Sequence, residues 1–94
     1  QITVQVEVPG EETKTFTYDT DENYLGGLLR DQGLVNGENS STGFYVTEVN
    51  GIKADESKQQ WWKLQQNGTD ATTGVDDLTI NNGDTYSFIL TEGY

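Results

Sequence analysis

The sequence predicts an α+β fold: an opening β-hairpin, a single helix, then several short strands in a mixed sheet. Three observations carry this expectation. Residues 2–8 alternate apolar and polar at strict period two. Residues 20–34 hold the one apolar stripe with helical spacing. After residue 43, short apolar runs return, separated by Asn-Gly pairs. One helix laid on a sheet is a two-layer arrangement in which each element buries one face.

The elements follow in chain order. Ile2, Val4, Val6 and Val8 share one face of a first strand, because successive side chains of a strand point to opposite sides. Pro9-Gly10 signals a turn. Phe16 and Tyr18 then mark a second strand, completing the hairpin. In residues 20–34, Leu25, Leu28 and Leu29 fall at i, i+3 and i+4. Thr20 or Asp21 is expected as the N-cap, with acids in the first turn where the helix dipole favours them. Gly33 suits the C-terminal cap. Gly26-Gly27 weakens this helix by about 1 kcal/mol per glycine relative to alanine, so it either packs closely on a sheet there or is short. Residues 35–43 read as a loop and 44–49 as a strand. Residues 53–60 read as a polar loop and 61–66 as a strand. A short strand is expected near Ala71–Thr73. Tyr86, Phe88 and Leu90 share one face of the closing strand. Four Asn-Gly pairs, at 36, 50, 67 and 82, are expected at hairpin corners. A hairpin followed by one helix suggests a β-grasp-like topology over one domain, residues 1–94.

Composition narrows the function. The chain has no cysteine, histidine or methionine. Disulfides, thiol chemistry, the commonest general base and the commonest zinc ligand are therefore missing. No apolar run approaches the roughly 20 residues needed to cross a bilayer. The formal net charge is −11, which repels nucleic acid and anionic membranes. We therefore expect no nucleic-acid partner and no membrane insertion. That charge is uneven. Residues 49–74 balance Asp55, Glu56 and Asp70 against Lys53, Lys58 and Lys63, so a partner surface meets least repulsion there. The chain begins at Gln1, which reads as an excised domain or a mature product.

Little in the sequence supports catalysis. Asp19-Thr-Asp21-Glu22-Asn23 resembles the start of a calcium loop. Tyr24 and Arg30, however, stand where that loop needs glycine and a bidentate glutamate. A helix start explains these acids better. Asp76-Asp77 is a paired carboxylate, but neighbours on a strand diverge, and acid–base work needs two carboxylates in differing environments. A Ser-His-Asp triad is impossible without histidine. Gly26-Gly27 lacks the fuller glycine fingerprint of a phosphate loop. Asn39-Ser-Ser41 and Asn67-Gly-Thr69 are formal glycosylation sequons. No enzyme is expected, and neither a catalytic residue nor a metal ligand is assigned.

The aromatic residues are more informative. Both tryptophans stand together in Lys58-Gln-Gln-Trp-Trp-Lys-Leu-Gln-Gln-Asn-Gly68. On a strand, Trp62 and Leu64 share one face while Trp61 and Lys63 share the other. One tryptophan belongs to the core. The other either lies along the sheet under lysine stems or forms part of a ligand or partner surface.

The run from Trp62 to Gly74, then Val75 and Asp76-Asp77, then Asn82-Gly83-Asp84-Thr85, resembles the C-terminal domain of transcobalamin and intrinsic factor. So does Gly43-Phe-Tyr-Val-Thr-Glu-Val-Asn-Gly51 upstream. The nearer resemblance is to transcobalamin-like C-terminal domains of bacterial surface and secreted proteins, and it covers nearly the whole chain. There a Tyr-Trp pair is usual, and Trp61 replaces the tyrosine. The resemblance implies a β-grasp-related fold and a non-enzymatic extracellular or cell-surface module, monomeric as an isolated domain. It also implies a small amphipathic ligand, with cobalamin or another corrinoid as the candidate, and no further cofactor. By position, the implied ligand contacts are Val46, Leu64 and Ala71, with Trp62 at their junction; Trp61, set on the other face by alternation, is the fifth candidate ligand-binding residue. Two departures stand out. Lys63 replaces a glutamine. Ala71 replaces a leucine, and each lost methylene removes about 0.8 kcal/mol of burial. Without histidine, no imidazole can replace the lower cobalt ligand. The alternative role is a structural, adhesion or protein-interaction module using the same strands, with a sheet edge open to strand addition. An open apolar groove at Val46, Leu64 and Ala71 favours the ligand. The same positions buried beneath the helix favour the alternative.

Overall fold

The computed structural model describes residues 1–40, 43–71 and 74–93, without the side chains of residues 39 and 40. Strands β1 (Ile2–Glu7) and β2 (Lys14–Tyr18) form the opening hairpin. Helix α1 (Leu25–Asp31) follows. Then come β3 (Val35–Ser40), β4 (Gly43–Val49), β5 (Ile52–Lys53), a 3-10 turn (Glu56–Lys58), β6 (Gln60–Gln66), β7 (Thr69–Asp70) and β8 (Thr85–Glu92). They make two sheets. A five-stranded sheet runs β2-β1-β8-β6-β7, and a three-stranded sheet runs β3-β4-β5. β8 pairs parallel with β1 and antiparallel with β6, so the larger sheet is mixed and the α+β, β-grasp-like expectation holds.

The core follows from strand alternation. Ile2, Val4 and Val6 of β1 are buried, as are Tyr86, Phe88 and Leu90 of β8. Leu25, Leu28 and Leu29 of α1 meet them in one cluster with Val35, Val49 and Val75. Ser87 is the one buried polar residue among those described.

Four sequence expectations are corrected. First, the helix starts three or four residues late, with Tyr24 in place of Asp21 or Thr20 as its N-cap and no side-chain capping bond. Tyr24 instead forms an antiparallel bridge with Thr79, and the Ile80 N–H donates to the Asn23 carbonyl. Tyr24 is held extended by that bridge, so the residues before it stay outside the helix. Thr20 Oγ1 does accept from the Glu22 N–H, at 3.0 Å, but in a local turn ahead of the helix. Second, of the two alternatives read from Gly26-Gly27 the helix is the short one, seven residues long, and its close packing at Gly26 is against a loop and not a sheet. The Gly26 N–H donates to the Val75 carbonyl and the Leu25 N–H to that of Leu78. A Cβ on Gly26 would collide with the Asp76 carboxylate and lie 3.1 Å from the Asp76 backbone nitrogen.

Third, residues 35–40 are a strand and not a loop. The ladder between β3 and β4 shifts register between Asn36 and Gly37, and a Cβ on Gly37 would run into the Tyr45 carbonyl. Glycine is required there for close approach of two backbones. Fourth, only two of the four Asn-Gly pairs are hairpin corners. At Asn50-Gly51 and Asn67-Gly68 both residues have positive φ, as a two-residue hairpin turn needs. Asn36-Gly37 lies opposite a bulge whose extra residue is Thr47 of β4, and Asn82-Gly83 leads from a loop into β8. The short strand expected at 71–73 lies at Thr69–Asp70, and Thr72 and Thr73 fall outside the described residues.

Asp84 ties the entry of β8 together. Its carboxylate accepts from Asn67 Nδ2 and Gln66 Nε2, each at 2.9 Å, and from Asn81 Nδ2 at 3.3 Å. Asn67 Oδ1 in turn accepts from the Thr85 N–H at 2.9 Å. The Asn67 sequon is thus engaged within the fold, and Ser41 of the other lies outside the described residues. The hydrogen bond from Asn67 is the main cause holding the Asp84 pKa below its ordinary 3.8, with those from Gln66, Asn81 and Tyr86 adding to it.

Two predictions follow from this packing. Gly26→Ala should destabilise by about 1–3 kcal/mol through overpacking, whereas Gly27→Ala should stabilise by up to about 1 kcal/mol, as read by urea denaturation. A Cβ on Gly27 meets only the flexible Glu22 carboxylate, at 3.2 Å. For Asp84, a folded pKa below the unfolded one means stability present above the unfolded pKa. It is lost as pH falls through the folded value. Asp84→Asn should flatten this part of the decline in melting temperature below pH 3.8. An unchanged acid limb would contradict the network.

Candidate functional site

A cleft of about 350 Å³ opens where the two sheets face each other. β4 supplies Phe44 and Val46, β6 supplies Trp62 and Leu64, and Ala71 and Val75 come from the loop after β7. β4 and β6 are not hydrogen-bonded to one another, so the cleft is the seam between the sheets. All five positions singled out from the sequence, Val46, Trp61, Trp62, Leu64 and Ala71, line it. Val46, Leu64 and Ala71 are only partly buried, packed against the core from its margin.

The two tryptophans divide as alternation requires. Trp62 is buried, with 7% of its surface exposed, and stands among the core residues. Its cross-strand neighbour is Leu90 of β8. Its indole N–H is buried with no acceptor among the described residues, a cost of about 1–3 kcal/mol that its packing must offset. Trp61 is half-buried, and its indole N–H donates to the Gly93 carbonyl at 2.9 Å. The Gly93 N–H donates to the Gln59 carbonyl. Trp61 therefore fastens the C-terminal end of the chain over β6 while also bordering the cleft.

The cleft has a polar rim. Lys63 Nζ lies 3.3 Å from Asp70 Oδ1, and Gln65 Nε2 donates to the same oxygen at 2.9 Å. The bond from Gln65, with Lys63 beside it, lowers the Asp70 pKa. Sequence reasoning did not single out Phe44, and its support explains its place. The Arg30 guanidinium lies 4.6 Å from the centre of the Phe44 ring and pairs with Asp76. Helix α1 thus reaches across to one wall of the cleft and to the loop after it. An aromatic at a strand start gives no sequence signal of such a contact.

The fold and this seam define a small α+β module with an apolar cleft between two sheets. The chain belongs to a family described as a domain of unknown function, DUF4430, whose model matches residues 24–92. It is similar to a candidate metal binding protein from Ruminococcus gnavus, with 39% identity, a TM-score of 0.95, and coverage of 99% of this chain and 97% of that one. It is also similar in fold to haptocorrin solved in complex with Cbi, at 19% identity and a TM-score of 0.68. That match covers 99% of this chain and 25% of haptocorrin, so the chain spans a quarter of that protein's length. No curated protein matches.

If Trp62 is a core residue and Trp61 an edge fastener, their truncations should differ. Trp62→Ala should cost about 3–5 kcal/mol and Trp61→Ala no more than about 2. Equal losses in chemical denaturation would contradict the division.

Proposed function

We propose that this chain is a non-enzymatic, extracellular module of a bacterial surface or secreted protein, and that its cleft takes one face of a small amphipathic ligand. A corrinoid is the named candidate. The observation that carries this reading is the open apolar seam at Val46, Leu64 and Ala71. These side chains are not covered by α1. They stay at the margin of the core, where a flat apolar ligand would complete their burial. Apolar walls with a few placed polar groups are the usual make-up of small-molecule sites, and Lys63 and Asp70 supply the polar groups here.

The fold likeness to haptocorrin supports the choice of ligand, because that protein was solved with Cbi. The metal binding ascribed to the Ruminococcus gnavus relative fits this reading only indirectly. Among the described residues, no three His, Cys, Asp or Glu side chains are grouped to hold an ion, whereas a corrinoid carries its own cobalt. About 350 Å³ lies near the lower end of small-molecule sites. A corrinoid would be covered on one side, and its other side would need a further domain or protein.

A second reading rests on a different observation. β2 is an edge of the larger sheet, and an edge strand can accept a strand from another protein. On that reading the chain is a structural or adhesion module.

Titration with cobinamide, followed by tryptophan fluorescence corrected for corrinoid absorbance, separates them. We expect saturable quenching with a Kd below about 1 mM, about tenfold weaker in Leu64→Ala. No saturable change up to millimolar cobinamide would sink the corrinoid reading for the isolated domain.

A further inference from the structure

We propose that a second groove, on the outer face of the smaller sheet, binds a neutral polyhydroxylated ligand, a short oligosaccharide. The groove has a volume of about 610 Å³, within the range of small-molecule sites. Its lining shares only Tyr45 with that of the cleft. Phe44 and Val46 of β4 pack against the core, so Tyr45 between them faces the other way, and Thr47, the extra residue where the β3–β4 register shifts, lines the groove beside it. Glu38 of β3 stands directly opposite Tyr45 in the register and shares that face. Lys53 of β5 and Gln60 at the start of β6 complete the lining, with Glu56 in the 3-10 turn.

The far wall is built in advance. Asp55 caps the 3-10 turn by accepting from the Ser57 N–H at 3.0 Å. The Asp55 N–H donates to Gln60 Oε1 at 3.0 Å. That bond fixes the Gln60 amide with its NH₂ left as a donor.

The lining chemistry selects the ligand. Glu38 and Glu56 only accept, Lys53 only donates, and Thr47 and Tyr45 do both. An anion would meet three carboxylates, and a cation would meet Lys53. An apolar ligand would find only Tyr45 and Ala54. A sugar hydroxyl donates and accepts at once, so it suits a lining of mixed sign. Tyr45 supplies the remaining need. It is 53% exposed, and a rigid aromatic face at the surface offers contact area at low entropy cost, suited to the C–H face of a pyranose.

The test is an NMR titration of the ¹⁵N-labelled chain with cellotriose, maltotriose and chitotriose, each to about 10 mM, the range of weak binding. We expect at least one to shift the amides of Tyr45, Thr47, Lys53 and Ser57 saturably. Added salt should leave this binding unchanged, because the ligand is neutral. Tyr45→Ala should keep a dispersed spectrum and bind at least about tenfold more weakly. The proposal is overturned if none of the three sugars gives saturable shifts, or if shifts fall only at Val46, Leu64 and Ala71. Unchanged binding by Tyr45→Ala also overturns it, as does tetralysine shifting the groove amides where the sugars do not. Cobinamide, which reports on the cleft, should leave the amides of Thr47, Lys53 and Ser57 in place, since these line the groove alone, so failure at one site is read separately from failure at the other.

Discussion

The structure depends on the placement of β8. This last strand lies between β1 and β6, hydrogen-bonded to both. Val6, near the start of the chain, pairs with Phe88, near its end. The sheet therefore cannot close until the whole chain is present, and such non-local pairing is the slow, costly kind. Tyr86, Phe88 and Leu90 repay that cost by burying their side chains on one face. The hydrogen bonds around Asp84 fix where β8 begins, and Trp61 fastens the segment just after its end. A one-residue slip would turn all three core side chains outward. These end contacts therefore protect the core as much as the backbone ladder does.

With β8 fixed, β6 is fixed beside it, and Trp62 and Leu64 must face the side where α1 and the smaller sheet lie. The smaller sheet is attached differently. It meets the larger one through side chains of Val35 and Val49 in the common core and through Arg30, which bridges α1 to Phe44 and Asp76. Arg30 and Asp76 are both solvent-accessible, so their pairing alone contributes little. Its consequence is geometric: it holds the wall of the cleft and the loop after β7 at a set distance. Two sheets joined by side chains and not by a ladder can meet imperfectly, and the cleft is that imperfect meeting.

The sequence disclosed whatever depends on local pattern. Strands β1, β2, β4, β6 and β8 were visible from period-two runs, and the split between Trp61 and Trp62 from alternation alone. β3 was hidden because Val35-Asn-Gly-Glu-Asn-Ser40 has one apolar residue and a glycine. It is a strand because Gly37 lets β4 come close. The helix start was misplaced for a related reason. Thr20 and Asp21 have the chemistry of a cap, but pairing of Tyr24 with Thr79, 55 positions away in the chain, outweighs a local hydrogen bond. The four positions implied by resemblance, and Trp61 beside them, do line one cleft, whereas Phe44 and Arg30 were invisible because their contact joins elements with no shared period.

The position of the half-buried residues bears on why the cleft exists at all. Val46, Leu64 and Ala71 lie beside a fully packed core, and closing the seam over them would gain roughly 25 cal/mol for each Å² of apolar surface removed from water. Ala71 lines that seam from the loop after β7, with Lys63 and Asp70 at its edge. Apolar surface left in water beside a packed core is the part of a fold that any molecule seated on it stabilises by mass action, and the seam is where this fold leaves such surface, because its two sheets share side-chain contacts and no ladder.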